Sequence, residues 1–343
     1  MSNTPSVLRI ALLFVCVISL FSYGIYRAFF KIEVNRSTIK YSDPFVHFSF
    51  ENNESNRQSD ENTLFNKTEE IKSAAVPTAA GDVLGRIKNK TIKSDGLNVS
   101  SGGVHIKNST DLSIDVNSLL SSEPTFKIKK STKAQVLIVH THATESFLKE
   151  DRDYYTDEDS SRTTDNSFNV TELGSIIAQK LNAASIATLH DRTQHDYPSY
   201  NGSYSRAAST IKKYLENNTG IKTVIDIHRD AIQTDNTKTK LTTEIGGKPA
   251  AQVMLVMGSN SGNIKNFPDW QENLKLALRL QKNIESMYPN LARPLSLVSR
   301  CYNENLTTGS MLIEIGTDAN SFDEVKYSAE LLSDAIIKTL EDL

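Results

Sequence analysis

Cysteine is scarce in this sequence of 343 residues, which contains two, Cys16 and Cys301. Cys16 lies in an apolar N-terminal run and Cys301 lies far along the chain, so we expect no disulfide between them. Two isolated thiols do not provide the several thiolates of a cysteine-based zinc site. Any metal site in this chain is therefore expected to use histidine and carboxylate ligands.

The sequence also lacks an excess of positive charge, since its formal net charge at pH 7 is −3. Proteins that hold nucleic acid usually present a basic field or a stripe of Lys and Arg with interleaved aromatic residues. No such stripe is present. We therefore expect no nucleic-acid partner.

Long apolar runs are rare, and the clearest is Ile10 to Tyr26, which has no charged residue and is flanked by Arg9 and Arg27. Its length is near the lower limit for a helix that spans a bilayer. A small-residue cleavage site is not evident after it, which favours a membrane anchor over a cleaved signal peptide. Basic residues after the run would place the following chain in the cytoplasm. We nevertheless expect an external domain, because long downstream domains can override that bias.

Composition divides the chain into three parts. Residues 1–31 are predicted to be a cytoplasmic tail and transmembrane anchor. Residues 32–103 are rich in Asn, Ser, Lys, Asp and Glu and have few periodic apolar positions. Such a segment buries too little apolar surface to offset the entropy of ordering it, so we predict a disordered or weakly ordered linker. Residues 104–343 are predicted to be the catalytic domain.

Predicted strands and helices alternate along the catalytic domain. Alternation of this kind is typical of an α/β layer fold, and continuously apolar strands indicate a sheet covered on both faces. We predict a mostly parallel twisted sheet with helices on both faces. The predicted strands are Gln135–His140, Ser185–His190, Thr223–Ile227, Ala251–Met257, Ser296–Ser299 and Met311–Ile315. The predicted helices are Val170–Asn182, Ser205–Glu216, Asp269–Met287 and Phe322–Asp342.

Two short polar phrases follow predicted strands. His142 and Glu145 come just after the strand that ends at His140, and His228 follows the strand that ends at Ile227. Ligands of parallel α/β sheets gather at the carboxyl ends of the strands. A catalytic zinc takes three His or carboxylate ligands and leaves a fourth position to water. We therefore predict that His142, Glu145 and His228 bind Zn²⁺, with His142 counted among the catalytic residues.

Other histidines compete for these roles. His140 has the same parity as His142 along an extended chain, and we assign it a supporting or structural role. His195 is a reserve metal ligand. It belongs to a polar cluster with His190, Asp191 and Asp196 that we expect to line the cleft.

Glu314 interrupts an apolar strand, where an unpaired carboxylate is costly to bury. This position predicts a polar cleft near the metal, with Glu314 as general base and then general acid. A buried ion pair or an edge strand would also explain it.

Three further features have both functional and structural interpretations. Asp226 or Asp230 would orient a ligand imidazole, and Arg229 would clamp a substrate carboxylate, although each would serve equally in a salt bridge. Residues 197–204 form either a carbohydrate or peptide platform or a packed loop. Residues 150–159 either border a substrate cleft or form a solvated loop.

Three segments resemble the stage II sporulation protein P family, which comprises membrane-anchored peptidoglycan hydrolases of endospore formers. They are Val136 to Ser146, Asp226 to Ala231 and Gly309 to Asn320. The resemblance extends over roughly Val104 to the C-terminus. It implies the α/β fold of zinc-dependent N-acetylmuramoyl-L-alanine amidases and hydrolysis of the amide between muramic acid and the stem peptide, with associated cleavage of peptide cross-links.

The resemblance also implies a biological setting. The setting is engulfment of the forespore, with the domain outside the mother-cell membrane, facing the forespore. A lytic transglycosylase, stage II sporulation protein D, is the implied partner.

One departure from the broader amidases concerns the carboxylate ligand. In those enzymes it tends to lie near the start of the first helix, where this chain has Glu172. Glu145 instead resembles the His-x-x-Glu spacing of zinc carboxypeptidases, and we choose Glu145 over Glu172. Two other functions therefore stay open: a zinc carboxypeptidase-like peptidase, and a wall-binding module without activity.

Overall fold

The computed structural model describes residues 81–94 and 99–343. The predicted anchor, residues 10–26, and most of the predicted linker lie outside these ranges. Within them, no helix combines the length and the apolar character needed to cross a bilayer.

The predicted strands and helices of the catalytic domain are confirmed, with shifts of a few residues at their ends. The strands are β1 (Val83–Lys90), β2 (Val99–Ser101), β3 (Val104–Asn108), β4 (Ser131–Val139), β5 (Tyr154–Thr156), β6 (Ile186–His190), β7 (Thr223–Asp230), β8 (Gln233–Thr234), β9 (Thr237–Ile245), β10 (Lys248–Ala251), β11 (Val253–Gly258), β12 (Leu295–Val298) and β13 (Ser310–Thr317). The helices are α1 (Val116–Ser121), α2 (Val170–Ala183), α3 (Ser203–Asn217), α4 (Trp270–Met287) and α5 (Phe322–Glu341), with a 3₁₀ turn at Glu304–Leu306.

The main sheet has eight strands in the order β2-β3-β12-β11-β13-β7-β4-β6. Strands β6, β4, β7 and β13 run parallel to one another, and β3, β12 and β11 form a second parallel group. The antiparallel neighbours are β11 with β13 and β2 with β3. The predicted mostly parallel α/β sheet is therefore confirmed.

Helices cover both faces of this sheet because side chains alternate along each strand. Val136 and Ile138 of β4 belong to the large core that also contains residues of α2, α4 and α5. Leu137 and Val139 of the same strand pack with Ile211 of α3 on the opposite face. Each such aliphatic side chain contributes about 1.5–3 kcal/mol when it is fully buried.

Helix α5 closes the domain, and its start is fixed by a local signal. The Ser321 side chain accepts a hydrogen bond from the Glu324 amide, and the Glu324 side chain accepts one from the Ser321 amide. This reciprocal capping box satisfies two of the amides that a helix start leaves without intrahelical partners. The Ser-x-x-Glu spacing of Ser321 and Glu324 is the sequence pattern typical of this cap.

A second, smaller sheet includes a strand that the sequence interpretation missed. Strand β1 runs parallel to β9 and antiparallel to β5. It lies within the predicted linker 32–103, as does β2, and the prediction of weak order is wrong for these strands. Ile87 is the buried residue of β1, so the hydrophobic pattern carried almost no signal. Backbone pairing with two neighbouring strands defines the element instead.

Candidate active site

The predicted ligands meet because three parallel strands end at one edge of the main sheet. Strand β4 runs beside β7, with Val139 paired to Asp226, and the chain then turns through His142 and Glu145. Strand β13 runs along the other side of β7, with Glu314 paired to His228. The two phrases and Glu314, distant in sequence, are thereby brought to one buried place.

His142, Glu145 and His228 lie close together and are all buried. The imidazole rings of His142 and His228 have centroids 5.3 Å apart and are nearly perpendicular. His228 Nδ1 lies 3.5 Å from Glu145 Oε2. That carboxylate oxygen also accepts a hydrogen bond from the Arg229 amide at 3.2 Å. The three residues predicted from sequence therefore share one site.

The donor types of this site fit zinc. Zinc–ligand bonds of 2.0–2.2 Å place tetrahedral neighbours about 3.4 Å apart, which is close to the separation of His228 Nδ1 and Glu145 Oε2. His142 Nδ1 is buried without a hydrogen-bond partner. Within residues 81–94 and 99–343, however, no group of three such side chains is already spaced to hold a metal ion. The chemistry of the set fits zinc, while its spacing does not yet match a bound ion.

The charges of this site are strongly coupled. Burial lowers the pKa of His142 to about 3, so its imidazole is neutral, as a metal ligand must be. Burial opposes the ionised form of Glu145, but Arg229 and His228 hold its pKa well below the usual value. Burial also opposes protonation of His228, yet Asp226 and Glu145 raise its pKa well above normal. Without a metal, His228 therefore carries a proton that metal binding would displace.

Asp226 is the carboxylate that faces the other side of the His228 ring. Its Oδ1 lies 3.0 Å from His228 Nε2. The amide of Thr141 donates to Oδ1 at 2.8 Å, and the hydroxyl of Thr141 donates to Oδ2 at 2.6 Å. Of the two aspartates considered from sequence, Asp226 lies where it can orient the imidazole.

Glu314 is buried beside His228, and its Oε2 has no hydrogen-bond partner. Burial raises its pKa to about 8, with Asp230 and Glu145 acting in the same direction and His228 and Arg293 opposing them. A carboxyl group with this pKa can both release and accept a proton near neutral pH. Its position on β13 is thus explained by the site and not by a sheet edge.

Aromatic side chains from the 197–204 region pack on His142. Tyr200 stacks on the imidazole with ring centroids 4.6 Å apart, and Tyr204 meets it edge-on at 5.5 Å. Tyr204 also contacts the Tyr302 ring at 5.8 Å, and Asn303 donates to the Tyr204 carbonyl at 2.9 Å. Tyr302 and Asn303 adopt positive φ angles, a conformation found mostly where tertiary contacts impose it. These tyrosines form a wall of the site.

Arg162 is a residue of the site that the sequence interpretation missed. It lies 2.7 Å from Asp196 Oδ2 and 3.7 Å from Glu145 Oε1. Its guanidinium also lies over the Tyr200 ring, 4.8 Å from the centroid. Asp196 in turn accepts hydrogen bonds from Thr144. No local sequence motif indicated a role for Arg162, because only the folded loop brings it close to Glu145.

His140, His190 and His195 form a separate network behind the site. His140 Nε2 lies 2.8 Å from His190 Nε2, and His140 Nδ1 lies 3.1 Å from the Ile227 carbonyl. The two nitrogens of His195 lie 3.0 Å from the His140 carbonyl and 3.0 Å from the Thr210 hydroxyl. The structural role given to His140 fits this geometry. Both ring nitrogens of His195, the reserve ligand, are engaged by these two groups, and His190 packs against His140.

Arg229 does not lie where it could clamp a substrate. Its side chain is buried and donates to the carbonyls of Ser146 at 3.2 Å and Ser161 at 2.8 Å. The proposed carboxylate clamp is therefore wrong, because these carbonyls occupy the guanidinium. Asp230, the other candidate for orienting an imidazole, instead forms a buried ion pair with Arg293 at 2.7 Å.

Glu172 lies in the first turn of α2 and is only partly buried. Within the described residues it forms no ion pair with His142 or His228, whereas Glu145 pairs with His228. The local reason is that Asn169 caps the helix, leaving Glu172 at its third position. Glu145 is thus the better-placed carboxylate.

Comparisons with known proteins match most of this chain to one family. The family model described as Stage II sporulation protein P matches residues 26–337. Stage II sporulation protein P of Bacillus subtilis (strain 168) is 32% identical over 213 residues, which cover 59% of this chain and 50% of that protein. The chain therefore matches only about half the length of this curated relative.

Solved structures of N-acetylmuramoyl-L-alanine amidases are similar at low identity. Ami1 of Mycobacterium smegmatis is 11% identical with a TM-score of 0.36, covering 62% of this chain and 97% of that one. CwlD of Clostridioides difficile, solved in complex with the GerS lipoprotein, is 13% identical with a TM-score of 0.37, covering 61% and 97%. An amidase of Clostridium difficile 630 is 20% identical with a TM-score of 0.37, covering 62% and 97%. Similarity at these identities and TM-scores does not establish the activity of this chain.

Proposed function

Because the chain belongs to the stage II sporulation protein P family, we propose that it is a zinc-dependent hydrolase of peptidoglycan. The bond cleaved is the amide between N-acetylmuramic acid and the L-alanine of the stem peptide. One observation carries the proposal: two histidines and a carboxylate converge at a buried sheet edge, with an unpaired carboxyl group on the next strand.

His142, Glu145 and His228 are the residues that would hold the ion. A zinc ion bound there would act as a Lewis acid toward the scissile carbonyl and toward water. The protein must supply ligands in their unprotonated form. Burial already keeps His142 neutral, and Glu145 is ionised because Arg229 and His228 stabilise its charge.

Glu314 is the proton carrier in this proposal. Its unpaired Oε2 takes a proton from the attacking water and then delivers it to the leaving amide nitrogen. Without that proton the leaving group would depart as an amine anion, which is highly unfavourable. Asp226 holds the His228 ring in place during both steps, since its other contacts to Thr141 fix its own position.

A second activity is favoured by the position of Glu145. The carboxylate beside His228 comes from a His-x-x-Glu spacing, as in zinc carboxypeptidases, and not from the helix start at Glu172. This spacing favours a carboxypeptidase-like peptidase as the alternative function. Cleavage of the peptide cross-links belongs to the proposal because the resemblance to this family implies it. The same ligands and the same proton carrier would serve, because both reactions hydrolyse an amide.

The setting belongs to the proposal as well. We propose that residues 1–31 anchor the protein in the mother-cell membrane and that the catalytic domain lies on the extracytoplasmic side, facing the forespore. Stage II sporulation protein D is the proposed partner, because its glycan cleavage would complement the release of peptides. Both points rest on the resemblance of the sequence to this family.

Product analysis with purified peptidoglycan tests the function. The full chain, supplied with zinc, is expected to release whole stem peptides from glycan strands, detected by mass spectrometry, and a chelator should abolish the release. Release of single terminal amino acids would indicate a carboxypeptidase instead. Tight binding to the wall without any product would show a binding module and refute the proposal.

A further inference from the structure

A cleft opens beside the candidate active site and has no assigned role. It has a volume of about 580 Å³ and is formed by the segment 146–168, between Glu145 and helix α2. This volume is within the range of about 300–1,000 Å³ that is usual for small-ligand sites. A glycan strand needs a long open groove, so a cleft of this size favours a short segment of substrate.

Arg162 connects this cleft to the catalytic groups. It lines the cleft, and its Nη2 lies 3.7 Å from Glu145 Oε1. Asp196 and the Tyr200 ring hold the guanidinium in place, yet a third of the side chain stays exposed. Nη1 of Arg162 donates to Asp196 and Thr144, whereas Nε and Nη2 donate to no described residue. This edge of the planar guanidinium is therefore the part that can bind a ligand carboxylate through two parallel donors.

The rest of the lining combines apolar rings with charges of both signs. Phe147, Tyr154 and Phe168 supply rings, and Phe168 is 42% exposed. Lys149 lies over the Phe168 ring, 5.7 Å from its centroid, and forms no ion pair with any described residue. A second carboxylate of a ligand could therefore pair with Lys149.

The carboxylates of the lining differ in their availability. Asp159 pairs with Arg152, and Asp165 accepts hydrogen bonds from Ser167. Glu150 and Glu158 form no ion pair among the described residues and can attract an amino group. A ligand that suits this lining carries free carboxylates together with an amino group.

We propose that this cleft binds a short zwitterionic peptide and that Arg162 holds one of its carboxylates. The inference rests on the proposed function, because such a peptide is then the stem portion of the substrate. A peptide held by Arg162 would lie near the candidate active site, because Arg162 lines the cleft and its Nη2 is 3.7 Å from Glu145 Oε1. Arg162 is thereby a substrate-binding residue that sets specificity.

The test uses the full chain and two forms of one disaccharide-peptide, with free carboxylates or with the same carboxylates amidated. Wild type is expected to prefer the free form by about ten- to hundredfold in kcat/KM, the usual range for a hydrogen bond to a charged group. Arg162→Gln should remove most of this preference, mainly through KM, and Arg162→Lys should restore part of it. Lys149→Gln should reduce the preference to a smaller extent.

Controls separate substrate binding from a structural role. Lys127→Gln, an exposed lysine outside the cleft, should keep the preference of wild type. Zinc content must be equal in all variants, because Arg162 contacts Glu145. Equal losses on the two substrates in Arg162→Gln, with an unchanged preference in Lys149→Gln, would overturn the proposal.

A binding measurement distinguishes this proposal from the proposed function. Calorimetric titration with the free stem peptide and with its amidated form requires no turnover. If wild type binds the free form more tightly and Arg162→Gln and Lys149→Gln lose the difference, the cleft assignment stands even when no hydrolysis occurs. If wild type cleaves peptidoglycan but binds both peptides equally, the hydrolase stands and the cleft assignment fails.

Discussion

Glu314 of β13 and His228 of β7 occupy paired positions on two adjacent parallel strands. Side chains alternate along a strand, so both residues face the side of the sheet on which α3 packs. This pairing sets a carboxyl group of raised pKa beside a candidate metal ligand. The proposed division of roles, His228 for the metal and Glu314 for the proton, rests on this strand register.

Replacement of Glu314 by Gln should remove proton transfer and leave the metal in place. Turnover of purified peptidoglycan is expected to fall by about 10²–10⁴-fold, the usual contribution of a positioned general acid–base group. Zinc content, measured by elemental analysis, should not change, because the amide has nearly the same shape. Glu330→Gln, an exposed carboxylate on α5, is the control. Full turnover in Glu314→Gln would exclude this residue from the mechanism.

Replacement of Asp226 by Asn should weaken metal binding without removing a ligand. The carboxylate lies 3.0 Å from His228 Nε2 and is fixed by two hydrogen bonds from Thr141. Loss of such an orienting partner typically lowers metal affinity by about 10–100-fold. Competition with a zinc chelator measures the affinity. An unchanged affinity would show that Asp226 does not orient the ring.

Replacement of Gly174 by Ala should destabilise the fold close to the site. A Cβ at this position would lie 2.6 Å from His140 Nε2 and 2.7 Å from His190 Nε2. Overpacking of this kind costs about 1–3 kcal/mol in the free energy of unfolding. Urea denaturation measures the change, with Gln179→Ala on the exposed side of the same helix as the control. A stable Gly174→Ala variant would mean that the His140–His190 pair is free to move.

Replacement of Glu304 by Gln should change how stability depends on pH. Burial raises the pKa of Glu304 well above its usual 4.5, against the effect of a hydrogen bond from the Gly258 amide. The folded state therefore binds this proton more tightly than the unfolded state. Stability from this group is greatest below about 4.5 and declines as the pH rises toward the raised pKa.

The decline should disappear in Glu304→Gln, which has no proton to lose there. Urea midpoints of wild type and variant, compared at a series of pH values, test this. The wild-type midpoint is expected to fall relative to that of the variant as the pH rises. A constant difference between the two proteins would contradict a raised pKa.

The main sheet and the helices were predictable because their signals are local. Continuously apolar segments such as β4 and β11 indicate strands covered on both faces, and both are fully buried toward the site edge. The Ser-x-x-Glu spacing of Ser321 and Glu324 indicates where helix α5 begins. Strand β1 gave no such signal, because it exposes most of its side chains and depends on pairing with β9.

The convergence of His142, Glu145 and His228 was also predictable, since both of their sequence segments follow strands whose ends meet in a parallel sheet. The partners of neighbouring residues were not. Arg229 has the chemistry of a carboxylate clamp, but the carbonyls of Ser146 and Ser161 occupy it. His195 has the chemistry of a ligand, but Thr210 and the His140 backbone engage its ring. Arg162 and Arg293 lie in loops, and no sequence motif indicated that they contact Glu145 and Asp230.

The sequence alone determined the family, the alternation of strands and helices, and the residue types able to hold zinc, because these depend on short-range periodicity and on side-chain chemistry. The tertiary structure decided which polar side chains are free to act. Burial removes water as a partner, so each buried donor or acceptor must be satisfied by whichever group the fold brings within about 3 Å. In this fold, His142 and Glu314 each keep a polar atom without a hydrogen-bond partner, whereas Arg229 and His195 form structural hydrogen bonds.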